Sequence, residues 1–104
     1  MKTPTIYKGS KAVIRLNGIT AGEYLLVAVD SRSRRKSLWF EAADGAVDAS
    51  LDVDEKMSLG ACCLILFKRE CGVLKHCRNY YDAFSVGYTN SLMNVATSQV
   101  ISLD

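Results

Sequence analysis

The sequence predicts an all-β chain, an antiparallel β-sandwich of about seven to nine short strands with at most one short helix. Three observations lead there. Apolar residues recur with period two, and 3.6-residue periodicity is scarce. Turn signals fall every ~8–12 residues, the spacing of a sandwich or small barrel. The single proline, Pro4, interrupts no strand.

The elements follow in order. Ala12, Ile14 and Leu16 alternate with Lys11, Val13, Arg15 and Asn17, a half-buried strand. Asn17-Gly18 and Ala21-Gly22 are turn signals. Tyr24–Val29 is apolar on both faces and suits a central strand. A basic stretch follows, Arg32-Ser33-Arg34-Arg35-Lys36, placed at a hairpin tip. In Ser37–Ala42, Leu38 and Phe40 share one face while Trp39 and Glu41 share the other. Asp44-Gly45 is a strong turn dipeptide. After it Val47, Ala49, Leu51 and Val53 alternate with Asp48, Ser50, Asp52 and Asp54, giving one dry and one acidic face.

Asp54–Met57 can form one helical turn. Ala61–Phe67 reads as a buried strand, Lys68–Gly72 as a tight turn, and Val73–Cys77 as the returning arm of a hairpin. Asp82, Phe84, Val86 and Tyr88 alternate with Ala83, Ser85 and Gly87 in the next strand. Ser91–Ala96 is the one place for a short helix, and Val95–Leu103 is the last strand. The core expected from this register is Ile14, Leu16, Leu26, Ala28, Leu38, Phe40, Val47, Leu51, Ile65, Phe67, Phe84 and Val86.

Size and composition bound the rest. A chain of 104 residues makes a single domain spanning 1–104. With 49% apolar residues and a formal charge of +2, disorder is disfavoured. The apolar runs are far shorter than the ~20 residues of a membrane helix, so no membrane is expected as a partner. The opening residues lack an apolar leader core, so synthesis in a cytoplasm without a signal peptide is expected. Four cysteines in that setting are expected as thiols.

Candidate chemistry is sparse. Cys62, Cys63, Cys71, His76 and Cys77 lie close in sequence, yet no C-x-x-C knuckle is present. Adjacent residues on a strand point to opposite faces, so Cys62 with Cys63, or His76 with Cys77, cannot ligate one ion together. The same divergence keeps the only histidine from serving Cys77 as a catalytic base. No nucleophile elbow, phosphate loop or zinc-protease motif occurs. No metal, no cofactor and no enzymatic activity are therefore expected, and Cys62, Cys63 and Cys77 are expected as small buried residues.

Two groups suit partner binding. Arg32, Arg34, Arg35 and Lys36, with Trp39 close by, can dock on an acidic protein surface. They can also grip phosphates and stack on a base, which is the alternative reading, a small nucleic-acid-binding β-barrel. Nucleic acid is the less favoured partner because no second basic element accompanies the loop. Tyr80 and Tyr81 place one ring in and one out, and an exposed tyrosine suits a protein interface.

The opening Ile6-Tyr7-Lys8-Gly9-Ser10-Lys11-Ala12-Val13-Ile14-Arg15-Leu16 resembles the first strands of small immunoglobulin-like β-sandwich domains in bacteriophage tail and virion proteins. The disulfide-bridged immunoglobulin version, with its Cys…Trp…Cys order, is not matched, because Trp39 precedes every cysteine. The resemblance implies a structural or assembly role in a virion, acting through contacts with other structural proteins of the assembly or as a homo-oligomer.

Overall fold

The computed structural model describes residues 3–88 and 98–104. Within them the chain is all-β, with two sheets and no helix. The strands are β1 (Thr5–Tyr7), β2 (Lys11–Ile19), β3 (Gly22–Val29), β4 (Arg35–Ala42), β5 (Gly45–Asp52), β6 (Gly60–Glu70), β7 (Val73–Gly87) and β8 (Ser98–Leu103). One sheet has the order β1-β7-β6-β3-β4 and curls into a half-barrel. The other has the order β5-β2-β8. The arrangement is not purely antiparallel: β1 runs parallel to the end of β7, and β8 runs parallel to β2.

One core fills the space between the sheets. Ala12, Ile14 and Leu16 of β2 and Ala49 and Leu51 of β5 meet Tyr24, Leu26 and Ala28 of β3. Leu64 and Leu66 of β6 and Phe84 and Val86 of β7 close it. Phe84, Leu64 and Ile14 are fully buried. Each such side chain contributes about 1.5–3 kcal/mol of transfer free energy. Tyr24 stacks on Phe40 with centroids 5.6 Å apart. Its hydroxyl donates to the Thr20 carbonyl at 2.6 Å, so the ring is buried without orphaning its polar end.

The alternation on β5 is as expected, with Ala49 and Leu51 inside and Asp48, Ser50 and Asp52 outside. On β6 the register is the reverse of the one expected. Cys62, Leu64 and Leu66 face the core, and Cys63, Ile65 and Phe67 face outward. The strand is apolar on both faces, so its composition could not select the inner one.

Other differences concern turns. Asn17-Gly18 lies inside β2 as a β-bulge, with Gly18 at φ 69°, and not in a turn. Asp54–Met57 forms a hydrogen-bonded turn, not helix. Lys68, Arg69 and Glu70 continue β6, so the hairpin turns on Cys71-Gly72 alone, both at positive φ (50° and 76°). Val73–Cys77 and Asp82–Gly87 are one 15-residue strand. That strand absorbs two irregularities, at Cys77 and around Asp82, whose φ is 50°. The expected helix at Ser91–Ala96 lies outside the described residues.

The β6–β7 hairpin reaches past the body. β1 pairs only with Ser85–Gly87, and the first seven residues of β7 are all exposed. The molecule measures 48 × 25 × 24 Å.

Candidate functional site

The outer face of the five-stranded sheet carries a row of large side chains. Strand register fixes it: Trp39 of β4 pairs with Leu25 of β3, Leu25 with Phe67 of β6, and Phe67 with His76 of β7. The next row holds Val27 and Ile65, opposite Ser37 and Asn79. Val27 is buried but stands apart from the core cluster. Leu25, Ile65 and Phe67 are half-buried by their neighbours along the face, and Trp39 is 46% exposed. Among the described residues Leu25, Ile65 and Phe67 take no part in the core cluster, which lies on the other side of the sheet.

Polar groups brace the row. The Arg69 guanidinium lies 4.7 Å from the centre of the Trp39 ring and donates to Glu23 at 2.7 Å. The His76 ring meets Phe67 edge-on at 5.9 Å. His76 Nε2 is 2.8 Å from Asn79 Oδ1, and Asn79 Nδ2 donates to the Tyr81 hydroxyl at 3.1 Å. Tyr81 itself is 75% exposed, while Tyr80 turns inward and is buried. Burial raises the Tyr80 hydroxyl above its ordinary pKa, against the pull of Arg78 beside it. Tryptophan, phenylalanine, tyrosine and arginine, with few ionised groups at the centre, is the composition of protein-binding patches.

The basic residues divide. Arg32 and Arg34 lie in the β3–β4 turn, whereas Arg35 and Lys36 begin β4 opposite Val29 and Ala28. Lys36 Nζ bonds the Asp52 carbonyl at 2.6 Å and Asp54 at 3.0 Å. That bond holds Asp54 below the usual carboxylate range. Arg34 donates to the Lys56 carbonyl at 2.8 Å. Trp39 is on the outer face with Arg69, so the fold does not bring it to the arginines of the turn.

Asp30 organises that turn. Its buried carboxylate accepts from the backbone N–H of Arg32, Arg34 and Ser58 at 2.9–3.0 Å. Burial alone would raise its pKa, but those three donors outweigh burial and lower it. The residue ties the β3–β4 turn to the segment before β6. Ser31 adds a second tie, to the Leu59 carbonyl at 2.6 Å.

The thiols do not gather. Cys62 is buried and its pKa is pushed up to about 12 by desolvation. Cys63 is half-buried. Cys71 and Cys77 are exposed, so Cys77 is not the buried residue its sequence position suggested; it sits at the bulge of the projecting hairpin. Among the described residues no three His, Cys, Asp or Glu side chains converge as metal ligands.

Sequence reasoning missed Leu25, Ile65, Phe67 and His76 as residues of the outer face. The available signal was that Tyr24–Val29 and Ala61–Phe67 are apolar on both faces, while the chain has too few strands to cover both. Neither family models, nor curated proteins, nor solved structures give a match to this chain.

Proposed function

We propose that this protein is a non-enzymatic assembly module that works by binding protein through the outer face of its five-stranded sheet. The observation that carries the reading is the row Trp39–Leu25–Phe67–His76, outside the core, partly exposed and braced by Arg69. Covering it would remove apolar area from water at about 25 cal/mol per Å². A rim of Glu23, Glu41 and Arg35 would set orientation.

The finer reading rests on the opening segment Ile6–Leu16: an immunoglobulin-like module acting as a virion or tail accessory component among other structural proteins. The nucleic-acid alternative through Trp39 loses support, because the tryptophan and the basic turn occupy different places in the fold.

The test compares wild type with the double variant Trp39→Ser, Phe67→Ser by size-exclusion chromatography of extracts from the native source. Wild type should migrate within large assemblies and the variant as free protein, with thermal midpoints within a few degrees. A variant that stays in the assemblies overturns the reading, as does a wild type that runs only as free monomer.

A further inference from the structure

Two clefts open side by side where the β3–β4 turn meets the segment before β6. One, of about 320 Å³, is lined by Lys8, Arg32, Arg34 and Lys56, with Glu55 as its acidic member. The other, of about 330 Å³, has Arg34 and Lys56 in its wall too, together with Arg35 and the paired Lys36 and Asp54. The cations come from three separate parts of the chain, so no run in the sequence displays them.

What holds Lys8 and Arg34 in place is neutral. Lys8 Nζ bonds the Glu55 carbonyl at 3.1 Å, and Arg34 bonds the Lys56 carbonyl at 2.8 Å. Among the described residues Lys8, Arg32, Arg34 and Lys56 take part in no ion pair. Carbonyl anchors fix the geometry of a cation without cancelling its charge. Asp30 also lines the second cleft and keeps its negative charge, its oxygens occupied by three backbone donors, so that with Asp54 it offsets part, but not all, of the charge of Arg34, Arg35, Lys36 and Lys56. The result is a cationic site whose scaffold is already ordered, which lowers the ordering cost of binding an anion.

We propose that this pair of clefts binds a polyanion through phosphate groups, beside the protein-binding face, with which the second cleft shares Arg35 at the rim. Guanidinium forks donate to phosphate oxygens two at a time, and lysine supplies the point charge beside them. Two adjoining clefts sharing Arg34 and Lys56 suit successive phosphates of one chain better than a lone ion. Among the described residues no aromatic side chain lines either cleft, so the contact is with phosphate and carries no base stacking.

The experiment titrates the full chain at low salt with two probes, inorganic triphosphate and a fluorescently labelled single-stranded oligonucleotide. The double variant Arg32→Glu, Lys56→Glu changes two cations whose side chains anchor nothing in the fold. Its affinity should fall at least about tenfold, and the slope of log affinity against log salt should drop by about two. Lys75→Glu with Lys11→Glu removes the same charge elsewhere and should leave binding within about twofold. Binding of triphosphate alone assigns the site to small phosphates, and binding of both assigns it to a phosphodiester chain. No binding of either probe overturns the proposal. So does an equal loss in the two double variants, which would reduce the effect to net charge.

Discussion

The two faces of β3 and β6 have nearly the same composition and opposite fates. Inward, Leu26, Ala28, Cys62, Leu64 and Leu66 are sealed in the core. Outward, Leu25, Val27, Ile65 and Phe67 look away from it, with Trp39 beside them. Hydrophobic content says that both faces of a strand seek cover. It does not say that the same chain provides both covers. The three-stranded sheet covers one face; on the other, Leu25, Ile65 and Phe67 stay half-buried.

The sharpest break of this comparison is a charge placed on each face in turn. Leu64→Asp should unfold the domain, costing more than about 4 kcal/mol, because it buries an unpaired carboxylate. Ile65→Asp, one residue along, should cost on the order of 1 kcal/mol and leave the fold intact. Equal melting of the two by circular dichroism would mean that the outward face is already covered in the folded chain.

The next largest effect is expected at the stitched turn. Asp30→Ala removes the acceptor of three backbone donors and should cost about 2–4 kcal/mol. The pH dependence follows from the lowered pKa of Asp30. The folded state holds the ionised form more tightly than the unfolded chain does. Its contribution is therefore complete above the unfolded value near 3.8 and is lost as pH falls through the lower folded value. Wild type and Asp30→Ala should differ in urea midpoint at neutral pH and converge in acid. A constant difference down to acid unfolding would remove the carboxylate from the account.

Trp39→Ala should lower stability by about 1 kcal/mol or less, since the ring is half exposed, while weakening partner binding strongly. Asp48→Ala is the smallest change. Its ion pair with Arg15, at 2.8 Å, lies in solvent, and the thermal midpoint should not move measurably.

Legibility in the sequence followed from how unequal the alternatives were. On β5, acid against aliphatic at every second position left one register, and Ala49, Leu51 and Val53 are buried as expected. On β6 both registers were apolar, and Ile65 and Phe67 were assigned to the wrong side. Asn17-Gly18 carries the chemistry of a turn, but a bulge needs the same positive φ, and the pairing of Leu16 with Val47 carries the strand through it. Trp39, Arg32 and Arg34 stood out as residue types. Their separation in space did not, because it depends on which strands are neighbours. Lys8 and Lys56 were invisible as cleft residues for the same reason.

The parallel pairings have a consequence for how the molecule forms. β1 cannot find its place until the end of β7 exists, and β2, which β5 flanks on one side, gains its second neighbour only when β8 arrives, some eighty residues later. Neither pairing is a hairpin that could close early and wait. During synthesis β2 can pair with β5 once residue 52 is made, but β1 stays without its strand partner until the end of β7 emerges, and the second edge of β2 stays open until β8 does. The two parallel pairings are the long-range steps of folding and put refolding on the slow, millisecond-to-second side for a chain of this length.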